Sequence, residues 1–150
     1  MPITKTFKKN EVIFREGDEG RCLYNIAGDL EARVGIYADY GTADQVLLTS
    51  LKVDEFFGEM ALLGQDKRSA TAVALTDCVL EMVTKDEFEE FSVKNPIKLE
   101  VILKNAASRL RDLTNDYVKA CFVIKEYSEA KESGGRVSDD LIAKMKRIVK

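Results

Sequence analysis

The chain has 150 residues, 45% hydrophobic and 33% charged, with a formal net charge of −3. That length suits one domain with one core, and that balance excludes a disordered chain. The acidity excludes a general nucleic-acid binder, whose footprint would be basic.

No apolar run approaches the ~20 residues that span a bilayer. The N-terminal Met1-Pro2-Ile3-Thr4-Lys5 has no apolar signal core, so the expected setting is cytoplasmic, off the membrane and off DNA. The chain has no histidine, which removes the commonest general base and the commonest metal ligand. No nucleophile–base pair or metal-ligand spacing stands out, so neither an enzyme nor a metal site is expected. Cys22, Cys78 and Cys121 are odd in number and far apart, which fits buried free thiols in a reducing compartment.

From residue 11 to 83 the pattern is one of short strands. Leu30, Ala32, Val34 and Ile36 alternate with Glu31, Arg33 and Gly35, the period of a half-buried strand. Further strands are expected at 11–14, 23–27, 45–51, 71–75 and 79–83, punctuated by Gly17, Gly20, Gly28, Gly41, Gly58 and Gly64. Residues 39–44 read as a hairpin loop. Strands of this length and spacing suggest a sandwich or jelly-roll barrel.

The period then becomes helical. Thr84 and Glu87 form a capping-box pair that starts a helix near Lys85, with Phe88 and Phe91 on one face. Asn95 followed by Pro96 is a second start. Nothing breaks the helix from Ile97 to about Lys131, which at ~1.5 Å per residue is about 50 Å of helix. Ser133-Gly134-Gly135 ends it. Ser138, with Asp139 and Asp140, caps a short tail helix expected over 141–150, with Leu141, Met145 and Ile148 turned inward.

The stretch Phe57-Gly58-Glu59-Met60-Ala61-Leu62 is followed, after a loop, by Arg68-Ser69-Ala70-Thr71. A carboxylate, a guanidinium fork and closely approaching backbone are what an anionic ligand bearing a ribose requires. Upstream stand Ile13-Phe14-Arg15-Glu16-Gly17-Asp18-Glu19-Gly20, Leu23-Tyr24 and Gly28-Asp29-Leu30-Glu31. In order and spacing these residues resemble the cyclic-nucleotide-binding domain family, which includes the catabolite activator protein and the regulatory subunits of protein kinase A. The resemblance covers roughly residues 8 to 130.

The resemblance implies a mainly β fold with helices. A double-stranded β-helix (jelly-roll) barrel is expected over about 8–83, a hinge helix over about 85–93 and a long helix over 97–131. Together these form a domain over 1–131, with 132–150 as linker and tail helix. It implies that Arg68 pairs with the exocyclic phosphate oxygens of cAMP or cGMP and that Glu59 accepts the ribose 2′-hydroxyl. Backbone N–H groups around Gly58, Met60 and Ala61, and near Ser69 and Ala70, complete the cradle. Ser69 contacts either the phosphate or the base. Lys67 departs from the family pattern, in which proline often precedes the arginine. No cofactor beyond the nucleotide ligand is implied.

On the long helix Leu103, Leu110, Tyr117 and Ile124 recur every seven residues, and Ala106, Leu113, Ala120 and Tyr127 take the complementary d positions. Leu99 and Ile102 are expected to lie on the barrel. The rest of the seam is expected to pair with a second copy in a homodimer through 97–131, and Val118, Cys121 and Phe122 form a second stripe. By resemblance to the catabolite activator group, Thr114 or Asn115 is a candidate base contact. Arg136–Lys150 is too short to supply both helices of a DNA-reading unit. The reading is therefore a stand-alone sensor whose helix moves on ligand binding and signals to a protein effector. The alternative is an interaction domain that kept the fold without nucleotide-dependent signalling.

Overall fold

The structure is a computed structural model and describes residues 3–64, 67–134 and 137–148. It divides into two compact units, residues 1–105 and 106–150. The first unit holds strands β1 (Ile3–Phe7), β2 (Val12–Phe14), β3 (Cys22–Ala27), β4 (Arg33–Ala38), β5 (Val46–Lys52) and β6 (Phe56–Phe57). Helix α1 (Glu59–Leu63) follows, then β7 (Thr71–Ala74), β8 (Cys78–Thr84) and helix α2 (Phe88–Lys94). Helix α3 (Pro96–Glu132) begins in this unit and continues into the second, which also contains α4 (Asp139–Ile148).

Two four-stranded sheets, in the orders β1-β8-β3-β6 and β2-β7-β4-β5, make the barrel, and every strand pairing is antiparallel. Alternation along the strands sends one set of side chains between the sheets. Phe7, Tyr24, Ile26, Val34, Leu51, Phe57, Ala72, Ala74 and Leu80 form that core. The opposite parity faces the helices: Leu23, Phe56 and Val83 pack with Leu62 of α1 and Ile102 of α3, and Phe88, Phe91 and Val101 rest against them. One residue of register therefore separates Tyr24 in the barrel from Leu23 under the helices.

The structure departs from the sequence reading in several places: β1 lies before the barrel start expected at about residue 8, β6 was not among the expected strands, and α4 begins at Asp139 and not at Leu141. The strand expected from Leu30 begins at Arg33, because Asp29 caps a turn by accepting the N–H of Glu31 (2.9 Å) and Ala32 N–H bonds Asp29 O. The Thr84–Glu87 pair forms, with Thr84 Oγ1 to Glu87 Oε2 at 2.6 Å, but it closes a turn over 85–87 and the helix begins only at Phe88. The five residues Glu59–Leu63, read only as a loop-like cradle, are helical. The long helix and the loop over 39–45 follow the expectation. So does the Ser138 cap, whose Oγ accepts the N–H of Leu141. Gly135 and residues 149–150 lie outside the described residues.

Candidate functional site

Gly58 ends β6 with φ +82°, a left-handed conformation that only glycine adopts without strain, and the chain turns there directly into α1. On the other side of the loop, Arg68 is fixed through its backbone: its N–H bonds Asp18 O at 2.8 Å and its carbonyl accepts Gly17 N–H at 2.9 Å. These bonds tie the arginine to the turn that follows β2. Lys67 sits opposite Glu19 in an isolated antiparallel bridge.

The Arg68 side chain is 4% exposed. Nη1 donates to Gly58 O at 2.9 Å and Nη2 to Cys22 O at 2.8 Å, with Cys22 Sγ at 3.6 Å. Its Cζ lies 4.2 Å from the ring centre of Phe14 and 5.6 Å from that of Tyr24. Phe14, Tyr24 and Phe57 form an aromatic cluster with centroids 5.3–5.9 Å apart. A delocalised cation held on aromatic faces loses less on leaving water than a compact ammonium would. Burial pushes the Tyr24 phenol well above its ordinary range, so it is neutral beside the guanidinium.

Space around the guanidinium is tight. A Cβ on Gly58 would lie 2.6 Å from Arg68 Nη1, and one on Gly20 would lie 2.3 Å from Ala61 Cβ and 2.9 Å from Arg68 Nε. The two main-chain carbonyls occupy both arms of the fork. Nε is buried and has no partner among the described residues, so one strong donor remains for an acceptor supplied from outside.

The structure thus gathers Gly58, Ala61 and Arg68 by direct approach. Glu59 is buried in the first turn of α1, and Ala70 is buried just after the arginine. Met60 is exposed, and its Sδ takes the Ser69 hydroxyl at 3.7 Å. Thr114 and Asn115 belong to the second unit and are exposed; Thr114 Oγ1 donates to Leu110 O of its own helix. The sequence reading took Phe14 and Tyr24 as barrel residues, Gly20 as a turn glycine and Cys22 as a buried thiol, and gave none of them a contact with Arg68. The available signal was strand parity, which sends Phe14, Tyr24 and Phe57 into the same interior. The expected burial of the thiols holds for Cys78; Cys22 is half-buried and Cys121 is exposed, because α3 turns that face outward.

A surface hollow of about 460 Å³ lined by Glu19, Arg21, Thr84, Lys85 and Asp86 offers mostly exposed charges. Among the described residues no cluster has the make-up of a metal site, and no helix is long and apolar enough to cross a membrane.

A family model for the cyclic nucleotide-binding domain matches residues 4–95. The chain is 29% identical over 108 residues to a cyclic AMP receptor protein of Thermus thermophilus, covering 72% of this chain and 49% of the relative. It is 30% identical over 129 residues to a cAMP-dependent protein kinase regulatory subunit of Eremothecium gossypii, covering 83% and 23%. The chain therefore spans about half the length of one relative and a quarter of the other. Among solved structures, the Thermus thermophilus catabolite activator protein aligns with a TM-score of 0.68 at 25% identity, over 81% of this chain and 56% of that one. An EAL enzyme in its cAMP-bound form aligns with a TM-score of 0.53 at 30% identity, over 85% and 33%.

Proposed function

The chain belongs to the cyclic nucleotide-binding domain family, and on that premise we propose that it is a regulatory module that senses a cyclic nucleotide, cAMP or cGMP. The observation that carries this reading is the buried, aromatic-backed Arg68 with Nε unpartnered among the described residues. In this reading Nε and the remaining guanidinium hydrogens meet the exocyclic phosphate, and Glu59 accepts the ribose 2′-hydroxyl. The backbone around Gly58, Met60, Ala61, Ser69 and Ala70 closes the cradle. The two carbonyl contacts keep the fork oriented before the ligand arrives, so little side-chain freedom is lost on binding.

The cassette reaches the helices through packing. Leu62 of α1 lies in the same cluster as Ile102 of α3, with Phe88 and Phe91 of α2 against it. A nucleotide that draws α1 toward Arg68 moves Leu62, and the aromatic pair and the start of α3 repack in response. This is a population shift between two packings, passed to a protein effector. The face of α3 bearing Leu110, Leu113, Tyr117 and Ile124, all at least 60% exposed, pairs with a second copy.

Calorimetry with cAMP and cGMP tests the site. Arg68→Ala and Glu59→Ala should each weaken binding at least about 100-fold, the scale of a lost charge-assisted contact plus its stranded partner. Parent-like affinity in both variants would remove the assignment. Amide exchange tests the signal: residues 85–131 should change protection on nucleotide addition. Binding without any change there would leave the alternative, an interaction domain that does not signal.

A further inference from the structure

Past Tyr117 the tail helix alters which face of α3 is available. Ala120, Val123, Tyr127 and Ala130 are half-buried, whereas their neighbours Val118, Cys121, Phe122 and Ile124 are exposed. With Leu110, Tyr117 and Ile124 at heptad position a, the half-buried set occupies d and g. Glu126, at the adjoining c position, pairs with Lys144 of α4 at 3.4 Å. Leu141 of α4 is only 6% exposed. The tail helix thus lies along the c/g/d side, and Ala120 and Tyr127, two residues of the a/d seam, are sheltered within their own chain.

What remains open is a contiguous arc of positions a, e, b and f: Tyr117 and Ile124, Cys121, Val118, and Phe122. Cys121 stands at its centre, one helical turn after Tyr117 on the same side of the helix. With Leu110, the large apolar side chains here are 44–71% exposed, a contiguous apolar patch of the kind that marks a protein contact. Leu110, Tyr117 and Ile124 recur every seven residues along one edge of this arc, and a twofold pairing places the central residue against its own copy.

We propose that a second copy of this chain docks on the a/e/b face of α3, which brings Cys121 opposite Cys121 of the partner subunit. The tail helix holds this register by occupying the d/g side. The proposal rests on the homodimer reading above and specifies its interface.

Oxidative cross-linking of the full chain with diamide tests it. Two thiols give up their protons and two electrons, a sulfur–sulfur bond forms, and the diazene takes up both hydrogens to become a hydrazine. A disulfide forms readily only where the Cα atoms approach within about 7 Å. The expected result is a covalent dimer on a non-reducing gel for the parent and for Cys22→Ser, and none for Cys121→Ser. Ala120→Cys in the Cys121→Ser background should cross-link at least about 10-fold more slowly than the parent, its thiol being turned away. Adding Leu141→Asp to that variant, to detach α4, should raise its rate.

Sedimentation separates the two readings. A monomer at micromolar concentration removes the homodimer itself. A reversible dimer in which Ala120→Cys cross-links and Cys121 does not overturns only the proposed face.

Discussion

The guanidinium of Arg68 lies 4.2 Å above the ring of Phe14, so the cation of the cassette rests on a residue of β2, the strand paired with β7 into which Arg68 leads. Phe14 is the last residue of β2, and Arg68 enters the same space because its backbone is bonded to the turn after that strand. Phe14→Leu keeps an apolar side chain there and removes the aromatic face. Nucleotide affinity should fall about 10-fold, in line with ~1–2 kcal/mol for a desolvated cation–π contact. Unchanged affinity by calorimetry in a folded variant would show that the ring supplies packing alone.

Gly20 tests how closely the cassette is packed. Its backbone has no left-handed strain, so any penalty for Gly20→Ala comes from space: the new methyl meets Ala61 Cβ at 2.3 Å and Arg68 Nε at 2.9 Å. Overpacking of this kind costs about 1–3 kcal/mol, and α1 should be displaced with loss of nucleotide binding. Gly20→Ala combined with Ala61→Gly should recover much of both. Chemical denaturation and calorimetry on the single and double variants check this; a double variant no better than the single refutes the steric account.

Lys67 stands where relatives of the resembling type often carry proline. In the bridge to Glu19 the bond is made by Arg68 N–H to Asp18 O, which leaves the Lys67–Glu19 pair in the non-hydrogen-bonded position of the ladder. Lys67→Pro removes no ladder bond and should change stability by less than about 1 kcal/mol, with reduced loop entropy on the favourable side. Thermal melting in which the variant loses substantially more than this would show that the lysine N–H is used.

Alkaline pH should weaken the fold. Burial raises Tyr24 above its unfolded value of 10.0, and burial raises Cys78 above 9.0, with Asp77 and Glu11 adding repulsion of the thiolate. Both groups are neutral in either state at neutral pH, so their stabilising difference is fully present below those values. Above pH 9 the unfolded chain ionises first and stability falls, continuing until the folded groups titrate. Melting temperature followed from pH 8 to 11 should decline, and Tyr24→Phe should flatten the decline beyond pH 10. An equally steep curve in Tyr24→Phe would assign the loss elsewhere.

Most strand positions and the long helix were legible because both depend on local signals: alternation with glycine stops for the barrel, and Asn95-Pro96 with an unbroken helical run for α3. Misreadings fell where local preferences compete. Leu30 alternates as a strand residue should, yet Asp29 takes its backbone into a turn and leaves Leu30 75% exposed. Helix α1 was missed because five residues carry no readable period.

The candidate site divides in the same way. The sequence by itself determined the fold type, the residue types of the cassette and their order, since Gly58, Glu59, Arg68 and Ser69 lie within one short stretch. Only the tertiary structure decided that Arg68 is buried, clamped by Gly58 O and Cys22 O and stacked on Phe14, because those partners lie 10, 46 and 54 positions away and meet it only when the strands pair. It likewise decided which side of α3 remains open. A heptad pattern reports that a face is apolar; packing of the tail helix determines whether that face is already covered.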